Sequence, residues 1–85
     1  MPPAEQPPQV VAITGASAGI GRATAIAFAR LGWMVALIAR GKGGLEGARR
    51  DVEREGGRAL TIEADVGDPE AVEGAAQQVI DKAGW

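Results

Sequence analysis

The chain has 85 residues, 46% hydrophobic and 24% charged, with 9 Lys+Arg against 11 Asp+Glu and a formal net charge of −2. That length holds one small α/β unit and is too short for a cofactor domain plus a separate substrate domain. Cys, His, Tyr and Asn are all absent, and Ser17 is the one serine. These absences exclude a disulfide framework, a thiolate nucleophile and zinc-finger spacing, as well as a Ser/His/Asp triad or an imidazole metal ligand. A mildly acidic balance also argues against nucleic acid as a partner, which needs a concentrated basic face.

Pro2, Pro3, Pro7 and Pro8 crowd the first eight residues, which have neither the basic region nor the apolar core of a targeting peptide. Residues 1–8 are therefore expected to be a disordered leader. Apolar runs elsewhere are broken by Gly or Arg well short of the ~18 residues of a membrane span. The expected protein is soluble and cytoplasmic.

From Gln9 onward short apolar runs alternate with helical periodicity. Val10–Ile13 is an unbroken apolar run, as in a strand buried on both faces of a parallel sheet. After a Gly-rich turn, residues 20–31 read as a helix with Ile20, Ala23, Ala27 and Leu31 on one stripe, and Gly32 stands where a C-terminal capping glycine belongs. Residues 33–39 (WMVALIA) form a second buried-strand run, and Gly41, Gly43 and Gly44 then loosen the chain. Leu45, Ala48 and Val52 fall at helical spacing, ended by Gly56-Gly57, and residues 59–64 read as a third strand. Asp68-Pro69-Glu70 reads as an N-cap, a first-turn proline and an acid well placed against the helix dipole. The apolar stripe of that last helix is Val72, Ala76, Val79, Ile80 and Ala83. The mixed-sign run from Arg49 to Glu55 reads as a solvated helix face, and Trp33 and Trp85 as packing residues.

The expected fold class is α/β, with a β-α-β-α-β-α order and three parallel strands joined by right-handed crossovers. That is the N-terminal half of a doubly wound sheet, occupying residues 9–85. Strand 1 would lie centrally in such a sheet, beside a fourth strand. Here it is expected to be an open edge, apolar on both faces, so the chain reads as cut before the fourth strand and prone to self-association.

Thr14-Gly15-Ala16-Ser17-Ala18-Gly19-Ile20-Gly21 lies between the first strand and the first helix. Glycines there let the backbone turn tightly and let a pyrophosphate approach main-chain N–H groups at a helix N-terminus. A tight strand–helix connection without a ligand is the plainer reading of such a turn, but the surrounding βαβ unit favours dinucleotide binding. The spacing is Gly-x-x-x-Gly-x-Gly, and TGASAGIG resembles the glycine motif of the single-domain short-chain dehydrogenase/reductase family. ALIAR (residues 36–40) and Asp65-Val66 agree with it in order and position. The resemblance covers residues 9–85 and implies a Rossmann-type fold. It also implies that Thr14, Gly15, Ser17, Gly19, Ile20 and Gly21 serve the diphosphate turn, and that Asp65 and Val66 lie near the adenine ring.

A fold of this type that prefers NAD carries an acid about 20 positions past the Gly turn, on the ribose 2′-OH. Here Ala39 and then Arg40 occupy that place. A guanidinium pairs with a 2′-phosphate in a fork, so NADP(H) is the expected cofactor, with NAD(H) possible; the plainer alternative is a solvated Arg at a strand end. Ala18 and Gly41 occupy places where the family often has a second basic residue. Lys42 either supplies that charge from a flexible Gly loop or is solvated. Arg22 either contacts phosphate or is an exposed helix residue, the second being favoured.

The resemblance implies hydride transfer between nicotinamide and a small carbonyl or alcohol, with an active site of Asn, Ser, Tyr and Lys. These 85 residues contain no Tyr and no Asn, and Ser17 belongs to the turn. No catalytic residue is therefore expected among them. The competing reading is a stand-alone nucleotide-binding or interaction module without chemistry.

Overall fold

In the computed structural model the described residues are 9–83, so the proline-rich leader expected over 1–8, and Gly84 and Trp85, lie outside the described residues. The elements are β1 (Val10–Thr14), α1 (Gly19–Arg30), β2 (Met34–Ala39), α2 (Lys42–Arg54), β3 (Arg58–Glu63) and α3 (Pro69–Ala83). The three strands form a parallel sheet in the order β1-β2-β3. Val10 pairs with Met34 at one edge of β2, and Met34 with Arg58 at the other.

β2 holds the centre, and its run MVALIA, apolar at every position, suits burial on both faces. Val35, Leu37 and Ala39 face α1 and α2, packing with Ala25, Ala29, Leu45, Ala48 and Val52. Ile38 points the other way, into a smaller cluster with Ile62 and Ala75 that Leu60, Ala64 and Val79 border. This period of two makes a three-layer arrangement, with α1 and α2 on one face and α3 on the other. β1 and β3 are the two edges, and β1 is the less covered: Val11 and Ile13 are half-buried against the first cluster, while Ala12 and Thr14 are exposed. Burial of β1 on both faces, expected from its composition, is not achieved. α3, which covers that face of the sheet, packs on β3 and β2, so the Ala12 and Thr14 side of β1 stays open onto a groove.

The α2 stripe of Leu45, Ala48 and Val52 is buried as its spacing predicts. The α1 stripe is not. Ala25 and Ala29 turn inward, whereas Ile20 is 86% and Leu31 69% exposed, with Ala23 and Ala27 also exposed. A helix this rich in alanine presents several apolar stripes. The one used admits the closest approach to the sheet and to Gly57, where a Cβ would come within 2.7 Å of the Ala29 Cβ. On α3 the buried residue is Ala75, outside the expected stripe, of which Val79 is half-buried, Val72 and Ile80 are more than two-fifths exposed and Ala76 is exposed. The side chain of Ala83 lies outside the described residues.

Gly43 and Gly44, expected in a loose loop, belong to α2 itself. Within its first turn Gly44 packs on Ser17, whose Cβ would lie 2.6 Å from a Cβ at that position. Gly32 takes φ +80 just past α1, and its N–H donates to the Ala29 carbonyl, the expected capping role. Asp68 caps α3 as expected, its Oδ1 accepting the Glu70 N–H at 3.0 Å. Trp33 packs on Phe28 with ring centroids 4.9 Å apart.

Two glycine substitutions should act in opposite directions. Gly57→Ala drives a methyl into the Ala29 backbone, 2.8 Å from its Cα, and should destabilise by about 1–3 kcal/mol. Gly74→Ala, mid-way along α3 with nothing within 4 Å, should stabilise by about 0.5–1 kcal/mol. Urea titration followed by circular dichroism measures both.

Candidate functional site

The carboxyl ends of all three strands open on one side of the sheet, where the following segments converge: Gly15–Ala18 after β1, Arg40-Gly41 after β2 and Ala64–Asp68 after β3. The turn after β1 is backbone set close to backbone. Gly15 and Gly19 take φ +65 and +59, in the left-handed region that favours glycine. Gly21 must lack a side chain, because a Cβ there would collide with the Gly15 carbonyl oxygen. Ala16 is fully buried, and its N–H donates to the Ile38 carbonyl at 3.4 Å, tying the turn to β2.

The first helical bond of α1 runs from the Arg22 N–H to the Ala18 carbonyl. The amides of Gly19, Ile20 and Gly21 thus have no intrahelical acceptor. Ala18 supplies no side-chain cap, and the first turn holds no acid. α2 begins in the same way, with Gly41 as an N-cap that bears no side chain and no acid in its first turn. α3 differs, since Asp68 caps it and Glu70 offsets its dipole. The N-termini of α1 and α2 are open positive ends, which favour an anion supplied from outside.

A cleft of about 400 Å³ lies between these segments, lined by Gly15, Ser17, Ile38, Ala39, Arg40, Gly41, Ala64, Asp65 and Val66. Five of the nine residues singled out from the sequence therefore meet there: Gly15, Ser17, Arg40, Asp65 and Val66. Thr14 instead lines the neighbouring groove, while Gly19, Ile20 and Gly21 open α1 and do not line the cleft. Arg40 is exposed and reaches Asp65 across the cleft, with Nη1 3.7 Å from Oδ2. The other Asp65 oxygen accepts the Gly67 N–H at 2.9 Å. The Ala64 N–H donates to the Ala39 carbonyl at 3.0 Å, continuing the ladder and holding Asp65 beside Arg40. Ile38 and Ala64 were not singled out from the sequence; strand alternation two residues before Arg40 and one before Asp65 is the signal that finds them.

The neighbouring groove is larger, about 610 Å³, and apolar: Ala12, Thr14, Ile38, Ala64 and Val66 face Val72, Ala76 and Ile80 of α3 across it. Thr14 is its one polar side chain, and the groove is otherwise an uncovered hydrophobic face.

Two sequence expectations are corrected. Of the two readings of Lys42 the flexible loop is overturned, since it is the first residue of α2, and the solvated one agrees with its exposure. Arg22 is not an exposed helix residue: its Nε donates to Asp51 Oδ2 at 2.8 Å and its Nη2 lies 2.7 Å from the same oxygen. Asp51 and Glu55 of the mixed-sign run thereby tie α2 and the turn following it to α1, through Arg22 and Arg30. The rest of that run is a surface network in which Arg49 bonds Glu46 and Glu53 and holds the Glu46 carboxyl below its usual range.

A family model for short chain dehydrogenase matches residues 9–85. The chain belongs to the short-chain dehydrogenase family. It is 42% identical over 77 residues to an uncharacterised oxidoreductase of Bacillus subtilis, a match covering 89% of this chain and 27% of that protein. Among solved structures it resembles an L-sorbose reductase from Gluconobacter frateurii complexed with NADPH and L-sorbose. There the identity is 39% and the TM-score 0.81, covering 87% of this chain and 28% of that one. It also resembles an NAD+-bound xylitol dehydrogenase, at 36% identity and TM-score 0.85, covering 89% and 29%. The chain thus spans less than a third of the length of these relatives. No helix among the described residues is long and apolar enough to cross a membrane.

Proposed function

We propose that this chain is the NADP(H)-binding part of a short-chain dehydrogenase/reductase that transfers hydride reversibly between the nicotinamide and a carbonyl or alcohol carbon. The observation that carries the reading is the uncapped, acid-free start of α1 behind a turn held open by Gly15, Gly19 and Gly21. Those amides and dipole suit a diphosphate, so the residues present fit a dinucleotide. Thr14, Gly15, Ser17, Gly19, Ile20 and Gly21 would hold the diphosphate, and Asp65 and Val66 the adenine edge.

Preference for the 2′-phosphate rests on Ala39 and Arg40 at the end of β2, where an NAD-preferring site places an acid. Relatives bind either cofactor, the sorbose reductase NADPH and the xylitol dehydrogenase NAD+, so the choice falls to this chain's own residues. Arg40 is exposed and has one weak partner, Asp65, which leaves its guanidinium free to turn toward a phosphate. The nicotinamide supplies or accepts the hydride. The chain's own groups bind and orient the cofactor, since the 85 residues hold no Tyr, Asn or His to move a proton at the carbonyl. A cytoplasmic location is part of this proposal.

Calorimetry on the purified chain should detect NADPH binding, while absorbance at the nicotinamide band should show no NADPH oxidation above background with any carbonyl substrate. Turnover would show that the acid/base group lies within these residues.

Arg40→Ala should weaken NADPH by about 1.5 kcal/mol, the low end for a hydrogen bond to a charged group because the side chain is solvent-screened. NADH should hardly change. Equal loss for both would make Arg40 a structural or stacking residue.

The isolated chain should self-associate through the open edge of β1, whose backbone groups lie beside the apolar groove. Sedimentation should give a mass that rises with concentration, and Ala12→Lys, which places a charge on that edge, should return it toward monomer. A wild-type chain that stays monomeric at all concentrations would refute the edge as a pairing surface.

A further inference from the structure

We propose that Arg22 is a positioning residue for the cofactor turn: through Asp51 it clamps the Ser17 carbonyl, and with it the turn, to α2. The proposal deepens the cofactor reading above and rests on it for the role of the turn. Arg22 stands one turn into α1, and all three of its guanidinium nitrogens face protein. Nε and Nη2 meet Asp51 Oδ2 at 2.8 and 2.7 Å, and Nη1 lies 3.4 Å from the Ser17 carbonyl oxygen. The pair is largely shielded, with side chains 34% and 20% exposed, so it is screened less than a surface ion pair.

The face of α2 that receives this side chain is shaped for it. Gly44, Gly47 and Asp51 are spaced by three and four residues and share one helix stripe. Gly44 lies against the Ser17 side chain, and a Cβ at Gly47 would lie 3.1 Å from Arg22 Nη2. Two missing side chains and one carboxylate thus let α2 seat directly on the turn. Arg22 does not line the cleft, and its charge is matched within the protein. Its effect on a ligand acts through the turn it holds. Because Arg40 and Gly41 lead straight into α2, the same clamp sets the spacing between the diphosphate turn and the residues that choose the cofactor.

The test compares Arg22→Gln and Asp51→Asn with Arg30→Gln in the purified chain. Arg30 pairs with Glu55 at 2.6 Å and ties α1 to the segment just past α2, with its own side chain mostly exposed. NADPH and NADH binding are measured by calorimetry, and amide hydrogen exchange is followed at Gly15–Ala18 and along β2 without ligand. Arg22→Gln and Asp51→Asn should weaken both cofactors alike, by about tenfold, the scale of one charged hydrogen bond. They should also speed exchange in the turn while β2 stays protected, and Arg30→Gln should do neither.

Unchanged affinity and unchanged turn exchange would overturn the proposal, as would β2 losing protection in step, which would mark a general stabilising role. Loss of NADPH with NADH retained would also overturn it, making Arg22 a direct phosphate contact. A wild-type chain that binds neither cofactor would refute the dinucleotide reading alone, because the exchange measurement needs no ligand and still decides the clamp.

Discussion

Several separations in this chain are too short to admit a Cβ, and the site depends on them. A methyl at Gly21 would strike the Gly15 carbonyl, one at Gly44 would lie 2.6 Å from the Ser17 Cβ, and one at Gly57 2.7 Å from the Ala29 Cβ. The first lets α1 start directly beside the end of β1, so its open amides border the turn. The second brings the first turn of α2 against the same turn. The third lets β3 begin close under α1, keeping the α1–α2 layer thin over the sheet. Glycine loses more entropy on folding than any other residue. Here that cost is offset by backbone approach that no other residue allows.

Charge is distributed to match. Two helix N-termini at the strand ends carry neither cap nor acid, while α3 carries both. Arg22, the basic residue closest to the turn in sequence, is neutralised by Asp51 within the protein. At the cleft the groups that attract an anion are the open N-termini of α1 and α2 and Arg40, beside the single carboxylate of Asp65. An anion arriving there meets groups that need not first break strong internal bonds, since the 3.7 Å Arg40–Asp65 pair is the weakest geometry among the ion pairs of the described residues.

What was legible in the sequence follows from how local the signal is. The run from 33 to 39 announces a buried strand because every position is apolar, and the glycine spacing of residues 15–21 announces the turn because it needs no distant partner. The inward face of α1 was not legible. In GIGRATAIAFAR alanine falls on several stripes, and the choice is made by Gly57, 28 residues beyond Ala29, which no local pattern reveals. The partnership of Arg22 with Asp51 spans 29 residues and lay inside a mixed-charge run. Sequence alone weighs such a run as solvated surface. The α3 stripe of Val72, Ala76 and Ile80 is apolar as its periodicity says, yet it lines an open groove, because periodicity reports which residues share a face and is silent on what lies opposite.

The open edge of β1 raises a question about the turn that follows it. β1 has one neighbour and no fully buried residue, and a turn hung from it alone would share its fraying. The turn is braced on the other side. The Ala16 N–H reaches the Ile38 carbonyl in β2, Ser17 rests on Gly44, and Arg22 joins the Ser17 carbonyl to Asp51. All three supports come from β2 or α2, the elements with the most completely buried apolar residues. The geometry of the turn therefore draws its stability from the closed side of the sheet, and it can persist while the β1 edge and the adjoining apolar groove remain free to take a further strand.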